Sequence, residues 1–391
     1  MYSIVFLPIL KSHLIPCRLH NCVPFEFDDK SKRFTKSSRN LRTSQFQCFI
    51  SILYSFAMLA FLLFGQITRT DKFQGAVFFM LSLLASITRW TNIVDNDTIQ
   101  VINTFLEFEK TAVLLDDGYT FVNSRTMKGM KYFILLMEFS LPLFSILQIL
   151  LLVFIPCTPP FLMSMSSSCR SSVTPLRLCN IRFVLHLADL WILSNNIFSA
   201  AIPILFVLCG GAVSFLAYFN ILKGRIKETE ISHNLSDCIH LYRSIQLLEK
   251  SFNSILMHRV IPPVMMLTAG IQIVGLYVYI THHKDIPTHP GLLIFPLVGI
   301  EGIICNVLIF TVASFVYTSS LHVLRSLRKR AGNMRETKSW TASKELKSLT
   351  FMSVKFASNF VDGGTPLSIQ TFCMNQIASL CLLQVDHRNL N

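Results

Sequence analysis

Seven stretches, each about the length needed to cross a hydrocarbon core, recur along this chain and leave it few folds to choose from. They are Phe49–Ile67, Phe73–Trp90, Tyr132–Ile155, Trp191–Leu222, Val260–Thr281, Gly291–Tyr317 and Thr365–Gln384. Lipid offers the backbone no hydrogen-bond partner, so a spanning segment of this kind must be a helix. Hydrophobic residues make up 52% of the chain and charged residues only 15%, against about 25% charged in soluble domains. The expected class is therefore an all-α polytopic membrane protein with seven transmembrane helices. Three regions follow: residues 1–48 as a basic, mostly polar amino-terminal segment, 49–384 as the membrane domain, and 385–391 as a short tail. Residues 1–10 are apolar but lack a basic start and a small-residue cleavage site, so the first span is expected to act as the targeting signal.

A net charge of +13 raises the question of nucleic acid. Its distribution points to lipid instead. With the amino terminus in the cytoplasm, the inside segments hold 8, 5, 6 and 9 Lys or Arg, 28 in all. The outside segments hold 2, 3, 1 and 1, only 7. The positive-inside rule selects that orientation, with the carboxyl terminus outside. It is opposite to that of a G-protein-coupled receptor. No nucleic-acid partner is expected, and the lipid bilayer is the medium the composition requires. The same topology places both glycosylation sequons, Asn96-Asp97-Thr98 and Asn234-Leu235-Ser236, in the cytoplasm.

The inner connections carry periodic apolar residues. Leu241, Ile245, Leu248, Phe252 and Ile255 recur at spacings of four and three, a narrow helix-packing seam. Ser236 and Asp237 are good caps before it. A helical extension over about 236–259 is expected, running close to the fifth span. Leu346, Leu349, Ser353, Phe356 and Phe360 repeat the pattern before the last span, which predicts a second extension over about 341–362. Asp362-Gly363-Gly364 breaks it. Both extensions are expected to build a cytosolic helical bundle.

The last span, 365–384, is unusually polar. At about 100° per residue, Ser368, Thr371, Asn375, Ser379 and Leu382 fall on one face. Ile369, Cys373, Ile377, Leu380 and Cys381 fall on the other. A polar stripe on a spanning helix faces protein or water, not lipid. It is either interhelical glue or a pore wall. The pore reading takes Ser368, Thr371, Asn375, Ser379 and Leu382 as pore-lining residues, with Leu382 or Leu383 as an apolar gate. Asp386 stands where an acidic ring at the mouth would concentrate cations.

At this point the chain resembles the insect chemosensory receptor superfamily of gustatory and odorant receptors. Its length of 391 residues, seven spans, inward amino terminus and final span near the carboxyl end all match. Thr371-Phe372-Cys373 resembles the Thr-Tyr-apolar signature of the gustatory members; Ser379-Leu380 departs from the Gln-Phe expected five residues later. The run KFASNFVDGGTPLSIQTF from Lys355 resembles the family's approach to that span. The resemblance implies a ligand-gated, non-selective cation channel in the plasma membrane. Its four subunits, identical or mixed, each give their last span to a central pore. It implies a tastant or odorant bound among the outer halves of the other spans, and an intersubunit anchor at the cytoplasmic ends of spans four to seven.

For a ligand pocket, the outer ends of spans four and five offer His186, Asp189, Trp191, Gln272, Tyr277 and Tyr279. Aromatic walls with few polar groups suit a small amphipathic molecule; the same aromatics also serve as interfacial anchors. Glu138 and Glu301 lie inside spans, where an acid is paired, protonated or beside water. Glu301 joins the ligand-binding candidates; both acids also fit a structural bond between helices. Cys157, Cys169 and Cys179 share the second outer loop, so one disulfide can form there and one thiol is left over within the loop. His282, His283, Asp285 and His289 lack a recognised ligand spacing, and no metal is expected. There is no glycine-rich phosphate loop, nucleophile elbow or catalytic dyad, so neither a cofactor nor enzymatic activity is expected. A G-protein-coupled receptor would turn the amino terminus outward, and a transporter would show paired broken helices in two halves.

Overall fold

The computed structural model describes residues 1–94, 97–113, 124–166, 181–228, 235–332 and 344–389. In chain order its helices are α1 (Tyr2–His20), α2 (Ser38–Phe64), α3 (Arg69–Val94), α4 (Asp97–Phe108) and α5 (Arg125–Phe154). They continue with α6 (Ile181–Ala201), α7 (Gly210–Glu228), α8 (Leu235–Ile255), α9 (Ile261–His282), α10 (Ile294–Gly332) and α11 (Thr365–Asn389). Two small antiparallel hairpins are inserted: β1 (Phe25–Asp28) with β2 (Arg33–Lys36), and β3 (Lys355–Phe356) with β4 (Asn359–Phe360). Asn96, Asn234, Cys169 and Cys179 lie outside the described residues, as does the side chain of Asp386.

Six helical rods among the described residues are long and apolar enough to cross a membrane: Asn40–Phe64, Arg69–Trp90, Arg125–Phe154, Phe183–Lys227, Leu235–His282 and Pro290–Gly332. α11 falls short of their apolarity because of its polar stripe. The rods extend past the boundaries expected from the sequence. A helix continues into the aqueous side as long as its apolar face stays packed, and hydropathy sees only the lipid part.

Two rods are joined through π-turns. α6 runs through Ile202–Cys209 into α7, and α8 runs through Leu256–Val260 into α9. Pro203 lies inside the first turn, and Pro262 and Pro263 follow the second after Ile261. A proline removes one N–H and crowds the carbonyl four residues back, so the ladder slips to wider bonds instead of breaking. The α6–α7 rod is the axis of the molecule. Its most apolar window is 94% buried, against 39–50% in the other five rods.

Two regions differ from the sequence expectation. Residues 1–48 are not simply a polar lead-in: α1 lies in the core, burying Tyr2, Val5, Phe6, Leu10, His13, Leu14 and Cys17. Most of those positions lie three or four apart, a helical stripe that leaves Lys11 and Arg18 outside it. The second extension, 341–362, is not a helix. Its described part is one helical turn over residues 344–347, an extended stretch, and the β3–β4 hairpin. Ala357 takes a left-handed conformation at the hairpin turn (φ 45°), which a helix cannot contain.

The seam on α8 is filled from within the chain. Leu241, Ile245, Leu248, Phe252 and Ile255 are all buried, and α8 packs on α4 and α7. Phe252 meets Phe215 at 5.2 Å and Phe105 at 6.1 Å between ring centres. A Cβ on Gly211 would come within 2.5 Å of the Phe252 ring, so this crossing requires the glycine. Within the chain these seam side chains hold α8 to α4 and α7.

Candidate functional site

The last helix starts at a defined cap. Asp362 Oδ1 accepts from the Thr365 backbone N–H at 2.9 Å, the Gly364 N–H at 3.2 Å and the Thr365 hydroxyl at 2.7 Å. The Thr365 hydroxyl and these amides hold the Asp362 carboxyl below its usual range. α11 then rests on α9 and α10. Cys373 and Ile377 are buried there with Ala269 and Ile273 of α9, flanked by half-buried Ile369, Leu380 and Cys381. Ser368, Thr371, Asn375, Ser379 and Leu382 are all exposed, with Leu382 67% exposed. The helix thus divides as the sequence predicts: the apolar face docks and the polar face is exposed, clear of the other described residues.

Beside this contact the helices hold a polar relay. The Thr268 hydroxyl donates to Asn306 Oδ1 at 2.6 Å, and Asn306 Nδ2 donates to Gln272 Oε1 at 2.8 Å. Gln272 Nε2 donates to Gln370 Oε1 on α11 at 2.9 Å, and Gln370 Nε2 returns a bond at 3.3 Å. Gln272 and Asn306 are fully buried. A Cβ on Gly302 would sit 3.0 Å from Gln272 Cβ, so the glycine lets α9 and α10 approach closely enough for the amides to meet. Sequence reasoning named Gln272 alone. Asn306 and Gln370 were visible as amides in or beside spans, but nothing in one sequence pairs them.

Thr268 also lines a cavity of about 130 Å³ between α3, α5, α6, α9 and α10. Its walls include Leu84, Ala85, Met137, Ile197 and Val298, with Glu301 as the one charged side chain. Glu301 Oε1 has no hydrogen-bond partner. The wall residues are ordinary apolar side chains on five helices, which no sequence signal separates from core.

The other candidate ligand residues do not converge on this cavity. Asp189 is buried, accepting from the Tyr54 hydroxyl at 2.7 Å and the Leu162 N–H at 3.2 Å, so it ties α2 and the stretch 155–166 to α6. His186 is buried without a hydrogen bond to either ring nitrogen. Tyr277 stacks edge-on against Phe73 at 4.9 Å. Trp191 and Tyr279 are 40% and 39% exposed, as interfacial anchors are. Glu138 pairs with His13 of α1 at 2.8 Å, the structural alternative for that acid. Cys157 is disulfide-bonded. His282 bonds Asp285 at 3.0 Å and Gln74 at 3.1 Å.

No protein-family model and no curated protein sequence matches the chain. Solved structures do. The insect olfactory receptor OR5 of Machilis hrabei in complex with eugenol aligns over 98% of this chain and 99% of its own, with a TM-score of 0.66 at 11% identity. A second structure of that receptor aligns over the same shares, with a TM-score of 0.61 at 13% identity. The chain has the insect olfactory receptor fold. At such low identity the likeness establishes the fold alone. The six described rods long and apolar enough to cross a membrane agree with that fold.

Proposed function

We propose that this protein is a chemosensory receptor acting as a ligand-gated, non-selective cation channel of four subunits in the plasma membrane. The single observation that carries the reading is the division of α11. Its apolar face is docked on α9, and its polar face, from Ser368 to Ser379, is left exposed by the described residues of the chain. Such a stripe on a spanning helix requires water or protein, and four copies around a common axis supply a wet path. Hydroxyls and amides line it without holding a cation tightly, and Leu382 closes it by dewetting.

The cavity beside Thr268 and Glu301 is the ligand site in this reading, and the relay through Asn306, Gln272 and Gln370 carries its state to α11. The neighbour's complex with eugenol supports a small organic ligand. Thr371-Phe372-Cys373 favours a gustatory over an odorant subtype. The amino terminus is cytoplasmic, supported by the 28-to-7 division of basic residues. Recording currents from cells expressing the chain alone, under a panel of volatiles, sugars and bitter compounds, tests the proposal. A ligand-evoked cation current is expected. A ligand that binds the purified protein but evokes no current, in this chain alone or with related subunits, would overturn the channel reading.

A further inference from the structure

We propose that the ligand this cavity is built for carries a basic nitrogen on a small apolar body, and that Glu301 is the residue that selects it. The inference rests on the reading of the cavity as the ligand site and goes beyond it by naming a ligand class. The observation is a mismatch of charge. Among the described residues the cavity walls hold no Lys, Arg or His, yet they hold one carboxyl. Its Oε1 is buried and meets no hydrogen-bond partner among the described residues, while the carboxyl has the Ser140 hydroxyl as a hydrogen-bond neighbour. An acid without a counter-charge in an apolar, lipid-level site is costly in its ionised form and leaves an acceptor unused in its neutral form.

An amine resolves both costs. A neutral acid and a neutral amine enter as an uncharged pair, and the carboxyl proton moves to the nitrogen to give carboxylate and ammonium. A carboxylate and an ammonium arriving already charged make the same pair. Either way the cavity gains no net charge and Oε1 gains a charge-assisted bond, about twice as strong as a neutral one. An alcohol of the same shape donates only a neutral bond, and a hydrocarbon none. A carboxylic acid would bring a second acid beside the first and is excluded.

The test measures binding to the purified full-length protein, by thermal shift and calorimetry, with 2-phenylethylamine, 2-phenylethanol and ethylbenzene as probes of matched shape. The wild type is expected to bind the amine about tenfold or more tighter than the alcohol, as a charge-assisted bond requires. Glu301→Gln and Glu301→Met should each bring the amine to within about twofold of the alcohol, because the charge is gone while the walls remain. Ala85→Phe, which fills the cavity, should abolish binding of all three. If the wild type binds the amine no tighter than the alcohol, or binds none of the probes, the inference is wrong. If the preference survives both Glu301 substitutions, it is also wrong, while loss of binding in Ala85→Phe keeps the cavity as the ligand site. Binding that persists in Ala85→Phe would instead remove the cavity reading itself.

Discussion

Single residues on α11 have separable jobs. Ile377 is buried against Ala269 and Ile273, so Ile377→Ala should lower stability by about 2–4 kcal/mol, read as a lower melting temperature of the purified protein. Asn375, one half-turn away, is exposed. Asn375→Leu should leave that melting temperature nearly unchanged and alter ion selectivity or resting leak. Asp362 acts at the helix start. Asp362→Ala should cost about 1 kcal/mol, the usual loss for a helix cap. Its carboxyl is held below the usual range in the folded protein, so the cap contributes fully at neutral pH and fades as pH falls through that lowered value. Acidification should therefore narrow the stability difference between Asp362→Ala and the wild type, and a difference constant down to strongly acid pH would contradict the cap.

At the scale of elements, the α9–α10–α11 junction links the cavity to the last helix. Gln272→Leu and Gln370→Leu should each weaken ligand-evoked current while ligand binding persists. Their effects on activation should be non-additive by about 0.5–3 kcal/mol in a double-mutant cycle, as for directly bonded partners. The α8 seam gives a different outcome. Leu248 is 1% exposed inside its own subunit, so Leu248→Asp should unfold the protein rather than split an assembly, costing upwards of about 4 kcal/mol. The long helices, the α8 seam and the two faces of α11 were legible in the sequence because each is a local periodicity. The relay and cavity were not, because Thr268, Asn306 and Gln370 meet only across helices. The docking of α1 was half-legible: most of its buried positions lie three or four apart, but within a segment that reads as polar overall. The β3–β4 hairpin was misread, because the spacing of Leu346, Leu349, Ser353, Phe356 and Phe360 imitates a helix while Ala357 turns the chain.

The whole molecule must satisfy one topology and one assembly. A cytoplasmic amino terminus leaves Asn96 and Asn234 inside, so protein made in insect cells should show no mobility shift with an N-glycosidase. A shift removed by Asn96→Gln or Asn234→Gln would invert the orientation. The proposed assembly rests on α11, whose exposed surface is polar on one side and carries Phe372 and Met374 on another, at 53% and 58% exposure. The purified chain, alone or with a related subunit, should run as a tetramer in detergent. The most direct test of the pore is chemical. Cysteines placed at Asn375, Ser379 and Ile377 are exposed in turn to a water-soluble thiol reagent during a ligand-evoked current, with the wild-type cysteines as control. Modification at positions 375 and 379 should block the current, and position 377 should behave as wild type. A current untouched at 375 and 379 would contradict the pore.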